Sequence, residues 1–86
     1  RELPYGYISA SGKNSCIIHY DNNDSIIDKS GLILMDMGLK LAGYCVDITS
    51  TVPANGKFSE YQKNIYNIVL EANRNIISEI KSGIYW

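Results

Sequence analysis

This sequence is poor in the features that most readily betray a function. Cysteine occurs only at Cys16 and Cys45, without the close spacing of a redox or zinc motif. The two thiols are expected to be buried and to pack as small hydrophobes. A disulfide between them is unsupported, which favours an intracellular compartment. Charge of one sign is not in excess: eight Lys and Arg face nine Asp and Glu, for a net charge of -1. Such a balance offers no electrostatic case for nucleic acid or for an anionic membrane as partner. No apolar run approaches the roughly 20 residues that span a bilayer. No signal-peptide pattern opens the chain. Repeats and low-complexity tracts are absent as well.

With 86 residues the chain is the size of one small domain. At this length only roughly 60–65% of the unfolded chain's surface can be buried, so stability is marginal without a partner. The chain begins without a methionine, on Arg1-Glu2-Leu3-Pro4-Tyr5-Gly6-Tyr7, and closes on Gly83-Ile84-Tyr85-Trp86. Domains tend to end on exposed polar segments. Residues 1–86 are therefore expected to form a single incomplete segment of a larger domain.

What is present is a run of strand signals followed by one long helix signal. Residues 6–13 read as a loop or short edge strand. Cys16, Ile17 and Ile18 lead into His19 and Tyr20, so Ser15 to Tyr20 reads as a strand. Asp21-Asn22-Asn23-Asp24 signals a turn, and Lys29-Ser30-Gly31 a second. Leu32 to Met37 is apolar on both faces, as in a central, buried strand. Gly43 to Pro53 carries β-branched Val46, Ile48, Thr49, Thr51 and Val52. The short connection between these two strands predicts an antiparallel hairpin.

Pro53-Ala54-Asn55-Gly56-Lys57 ends the strands, which occupy about 7–53. Ser59 then reads as an N-cap, with Gln62 three residues on as a capping box requires. Ile65, Ile68, Val69, Ala72, Ile76, Ile77 and Ile80 recur at helical spacing, predicting a helix over about 59–81. Gly83 is its stop signal. One apolar stripe predicts that the helix lies against the sheet. The fold class is α+β, antiparallel strands followed by a long amphipathic helix.

Two aspartates interrupt this apolar pattern. Asp36 lies in Leu32-Ile33-Leu34-Met35-Asp36-Met37-Gly38, and Asp47 in Gly43-Tyr44-Cys45-Val46-Asp47-Ile48-Thr49. A lone carboxylate in an apolar segment is costly unless its charge is compensated. A register that sets Asp36 directly opposite Asp47 centres the turn on Leu41-Ala42. Opposed residues share a face, with Cβ atoms about 4.5–5.5 Å apart, and two carboxylates there repel. A shared proton relieves the repulsion; so does a pair of divalent metals. Aspartates facing water near a strand end are the plainer alternative. Thr49 falls on the same face, where it could orient a ligand carboxylate. Two side chains offer too few donors for an octahedral or five-coordinate metal, so further ligands must come from elsewhere.

These two segments, continued through Ser50-Thr51-Val52-Pro53-Ala54-Asn55-Gly56-Lys57-Phe58, resemble the aminopeptidase P and proline dipeptidase family of pita-bread metallopeptidases. Asn14-Ser15-Cys16-Ile17-Ile18-His19-Tyr20 and Ile65-Tyr66-Asn67-Ile68-Val69-Leu70 extend the resemblance over roughly residues 6–83. The segment would be the N-terminal part of that catalytic domain. The resemblance implies that Asp36 and Asp47 are metal ligands and that His19 lines the substrate pocket and stabilises the reacting centre. It implies two divalent ions, Mn²⁺ first among them, with one histidine and two glutamate ligands lying downstream of Trp86. Glu60, Glu71 and Glu79 fall on or beside the helix and are not expected to replace them. Ser50 stands where the family often has a basic residue, on the face away from the aspartates.

The implied reaction is hydrolysis of the bond between an N-terminal residue and a following proline. The implied partners are a peptide with proline second, the remainder of the catalytic domain and, compatibly, a second copy of the chain. Methionine aminopeptidases share the aspartate spacing, but His19-Tyr20 and Pro53 to Phe58 look more like aminopeptidase P. Tyr44, Phe58 and Tyr66 are expected to serve packing rather than substrate. The rival reading is a non-catalytic pita-bread interaction module or an inactive fragment with a scaffold role. Relatives of that kind usually lack the aspartate pair, which this chain keeps.

Overall fold

The computed structural model describes residues 5–85, in the order β1 (Ile8–Ser11), a 3₁₀ turn (Gly12–Cys16), β2 (Leu32–Leu41), β3 (Tyr44–Pro53) and α1 (Glu60–Glu79). The expectation drawn from the chain ends rests partly on residues 1–4 and 86, outside the described residues. The three strands form one antiparallel sheet in the order β1-β2-β3. β2 is central, as its two apolar faces predict.

The β2–β3 hairpin turns on Ala42 and Gly43, both in the left-handed region at φ 51 and φ 86. Two consecutive residues with positive φ suit a two-residue turn whose twist matches that of its strands, and glycine takes that conformation without strain. The turn fixes the register: Leu41 faces Tyr44, Gly38 faces Asp47 and Asp36 faces Thr49. The expected turn at Leu41-Ala42 is therefore wrong, and so is the direct pairing of the two aspartates. The error is a two-residue slip, which leaves every side chain on its expected face because strand side chains alternate with period two.

Ser15 to Tyr20 is not a strand. Gly12, at φ 57, turns the chain into the 3₁₀ segment, and His19 is itself left-handed at φ 56. The sheet edge such a strand would need is occupied, since β1 pairs with β2 from Ile33 to Asp36. The expected turn at 21–24 is irregular chain around Asn23, at φ 50. The turn at Lys29-Ser30-Gly31 forms, closed by Gly31 N–H on the Asp28 carbonyl at 3.0 Å.

The capping box at Ser59 is complete. Gln62 N–H donates to Ser59 Oγ at 3.2 Å and Ser59 N–H donates to Gln62 Oε1 at 2.9 Å. Such a cap is worth about 1 kcal/mol. Gln62 Nε2 also donates to the Ser30 carbonyl at 2.9 Å, tying the helix start to the turn before β2. Beyond that tie α1 does not lie against the sheet. It makes no contact with any strand and buries no residue among those described. The radius of gyration, 15.4 Å, exceeds the roughly 12 Å of a compact chain this long. The apolar stripe of α1, Ile65, Ile68, Ile76 and Ile80 among it, is left exposed.

Among the described residues, buried apolar side chains are correspondingly few: Ala10 at 2% exposure and Tyr20 at 6%. β2 is central but not the buried strand expected: it is half-buried from Leu32 to Asp36 and, Gly38 apart, exposed beyond, where β1 no longer covers its flank. Cys16 and Cys45 are both free and exposed, against the expectation of buried thiols. Phe58 and Tyr66 pack on each other at 5.0 Å between ring centres, while Tyr44 is exposed.

Candidate metal centre

The aspartates project from one face of the hairpin as diagonal neighbours. Asp36 pairs across the ladder with Thr49, and Asp47 with Gly38, a residue with no side chain. Diagonal Cα positions in an antiparallel pair lie about 7–8 Å apart. The backbone alone therefore does not bring the two carboxylates together.

Their side chains nevertheless converge on one atom. The Tyr5 hydroxyl lies 2.9 Å from Asp36 Oδ1 and 2.6 Å from Asp47 Oδ1. A phenol has one proton and two carboxylates compete for it. These contacts hold the Tyr5 phenol well above the ordinary tyrosine range. The bond to Asp47 contributes most, followed by desolvation, the bond to Asp36 and the two negative charges. Ionising the phenol would set a third negative charge beside two others.

A cavity of about 500 Å³ opens beside this convergence, lined by Tyr5, Gly6, Ile8, His19, Asp21, Asp36 and Asp47. His19 reaches it from the loop after the 3₁₀ turn, a loop held by the buried Tyr20. The Tyr20 hydroxyl donates to Asp24 Oδ1 at 3.0 Å and lies 3.2 Å from Ser25 Oγ. Asn14 Nδ2 donates to the same Ser25 Oγ at 2.9 Å. A second cavity, of about 260 Å³, adjoins His19 and Asp36 and is bounded by Ala10, Leu34 and Thr49. All three residues singled out from sequence, His19, Asp36 and Asp47, thus border one cavity, with Thr49 next to them. Tyr5 and Asp21 were not foreseen. Tyr5 is 31 and 42 residues from its partners, and no local pattern marks it. Asp21 looked like an ordinary turn residue.

The donor chemistry suits hard divalent cations, which favour carboxylate oxygens. Two carboxylates drawn to one proton are also short of positive charge. Yet no three His, Cys, Asp or Glu side chains among the described residues come close enough together to hold an ion. Glu60 and Glu79 bound α1, with Glu71 within it, away from the sheet. The site is a partial donor set.

The profile of metallopeptidase family M24 matches residues 1–86. The chain belongs to metallopeptidase family M24. A solved structure of Pseudomonas aeruginosa aminopeptidase PepP superposes at a TM-score of 0.91 with 49% identity, covering 98% of this chain and 19% of that one. Zinc-substituted Escherichia coli aminopeptidase P in complex with product gives 0.87 and 40%, over 92% of this chain and 18% of that one. The Xaa-Pro aminopeptidase of Haemophilus influenzae is 44% identical over 79 residues, 92% of this chain and 18% of its own length. The Xaa-Pro dipeptidase of Mus musculus is 40% identical over 90 residues, again 18% of its own length. This M24 chain thus spans about a fifth of the length of the curated relatives it matches. Its strands and helix have the pita-bread arrangement that the resemblance implied. Among the described residues no helix is long and apolar enough to cross a membrane.

Proposed function

We propose that this chain supplies the two aspartate ligands and the pocket histidine of an Xaa-Pro exopeptidase. In that reading it is one segment of a larger catalytic domain. The observation that carries the reading is the convergence of Asp36 and Asp47 beside a cavity shared with His19. The family match and the printed activities of the relatives supply the reaction class.

Asp36 and Asp47 would hold a pair of divalent ions, Mn²⁺ first among the candidates, with the remaining ligands outside these 86 residues. When bound, such ions acidify water and polarise the scissile carbonyl. The protein's own groups do the rest. Asp36 and Asp47 fix where positive charge can sit. Thr49, across the ladder from Asp36, is placed to orient that carboxylate. His19, as a hydrogen-bond donor, would stabilise the oxygen on which charge develops during attack. The substrate is a peptide with proline in second position, and the other partner is the rest of the catalytic domain. A homodimer is compatible with this reading.

The test is a peptidase assay on the intact protein with matched Xaa-Pro and Xaa-Ala peptides, with Mn²⁺ and after chelation. Cleavage of Xaa-Pro alone, lost with chelator and restored by Mn²⁺, is the expected result. Equal cleavage of both peptides would remove the proline assignment. His19→Ala should lower kcat by about 100-fold, in the range of a lost oxyanion donor, with Mn²⁺ binding unchanged. A second reading, a non-catalytic module, draws on the absence of a complete metal-ligand cluster among the described residues. It predicts no Mn²⁺-dependent turnover by the intact protein.

A further inference from the structure

Asp36 and Asp47 come from different strands, are not opposite each other, and yet aim at one point. Backbone geometry does not account for this, since diagonal positions leave the two Cα atoms about 7–8 Å apart. The shared point is the Tyr5 hydroxyl, 2.9 Å from one carboxylate and 2.6 Å from the other.

Tyr5 belongs to no strand, so something else must hold the segment that delivers it. The Asn23 side chain is in place to do this. Its Oδ1 accepts from Ser9 N–H at 2.7 Å, and its Nδ2 donates to the Tyr7 carbonyl at 3.0 Å. One amide thus bonds both a donor and an acceptor of the Tyr7 to Ser9 backbone, as a neighbouring strand would. The same Nδ2 lies 3.1 Å from the Asp21 carbonyl, tying the clamp to its own loop. Asn23 is left-handed at φ 50, a conformation asparagine tolerates better than most residues.

We propose that Tyr5 is a positioning residue for the Asp36 and Asp47 pair, held over it by the Asn23 clamp. This rests on the reading of those aspartates as metal ligands. The hydroxyl draws the two carboxylates into one orientation before any cation arrives, so that an ion meets converged oxygens instead of two independent side chains. With cations holding the pair, the intact phenol O–H would donate to one carboxylate and fix its rotation. Hydrogen bonds to metal-ligating groups of this kind commonly change metal affinity by about 10–100-fold.

The experiment is calorimetric titration of the metal-free intact protein with Mn²⁺. Tyr5→Phe keeps the ring and removes only the oxygen. Its Mn²⁺ affinity should fall by at least about 10-fold, with the melting temperature of the metal-free protein unchanged. At saturating Mn²⁺ kcat should recover substantially and KM for the peptide should stay the same, a pattern that loss of packing would not give. Asn23→Ala leaves the phenol intact and should produce a smaller loss of affinity in the same direction. It also keeps the proposal testable if Tyr5→Phe does not fold. Asp36→Asn and Asp47→Asn serve as controls. If they lose Mn²⁺ while Tyr5→Phe and Asn23→Ala bind it as wild type does, the positioning role is overturned and the metal assignment stands. If the aspartate variants bind Mn²⁺ normally, the metal assignment itself fails, and the positioning role with it.

Discussion

The two faces of the sheet differ in how much of their environment the chain itself supplies. On the aspartate face, Asp36 and Asp47 converge on the Tyr5 hydroxyl and share a cavity with His19. On the other face, Met37 at 51% exposure and Ile48 at 63% lie side by side across the ladder, among exposed Leu39 and Val46. A contiguous apolar surface of this sort marks a place where something else packs. α1 repeats the contrast, with an ordered capping box at one end and exposed Ile65, Ile68, Ile76 and Ile80 along its length. Polar convergence can be completed by a few hydrogen bonds within a short chain. Apolar burial needs area, and 86 residues do not supply enough to cover both the sheet and the helix.

The largest expected effect breaks the polar face. Asp36→Asn or Asp47→Asn in the intact protein should lower Mn²⁺ affinity by more than about 100-fold, beyond what outer hydrogen-bond partners cost. Turnover on Xaa-Pro peptides should fall to background. Titration and a peptidase assay measure the two losses, and unchanged turnover in both variants would refute the role of the pair.

The apolar face is sharpened by Ile48→Ala. If that face is covered in the intact protein, the change should cost about 2–4 kcal/mol in denaturant unfolding, the range for deleting a buried branched side chain. A change within about 0.5 kcal/mol would mean the face meets water. A smaller effect is expected at the helix start, where Ser59→Ala removes the cap from the Gln62 N–H. The expected loss is about 1 kcal/mol, read by chemical denaturation, with helix content falling first near Glu60.

The smallest effect is at the turn before β2. The Ser30 N–H, 2.9 Å away, and then the Ser30 hydroxyl at 2.8 Å hold the Asp28 carboxyl below its ordinary range, against a weaker desolvation effect. Because the folded value is depressed, this stabilisation is complete above the unfolded pKa near 4. It is lost as pH falls through the lower folded value. Asp28→Asn should therefore lower the melting temperature slightly near pH 7 and leave it unchanged in acid below the folded value, flattening its pH dependence between them.

The parts legible in the sequence were those fixed by local chemistry. Ser59 and Gln62 marked a helix start that the structure reproduces atom for atom. β-branched residues from Val46 to Val52 marked β3, and the apolar run from Leu32 marked β2. The Cys16-Ile17-Ile18 run looked equally like a strand and is not one. Its apolar residues carry the same local preference, but β1 already occupies the edge of β2. The aspartates were placed on the correct face with the wrong partners, since alternation survives a two-residue slip and pairing does not.

By itself, the sequence determined the element types, the common face of Asp36 and Asp47, and the M24 resemblance. Each is written in neighbouring residues, through side-chain periodicity, capping chemistry or contiguous motif. Only the tertiary structure decided the register, the separation of α1 from the sheet, and the arrival of His19 and Tyr5 at the aspartates. Those depend on contacts between distant residues, whose closure is set by which edges, turns and hydrogen-bond donors remain available once the local elements have formed.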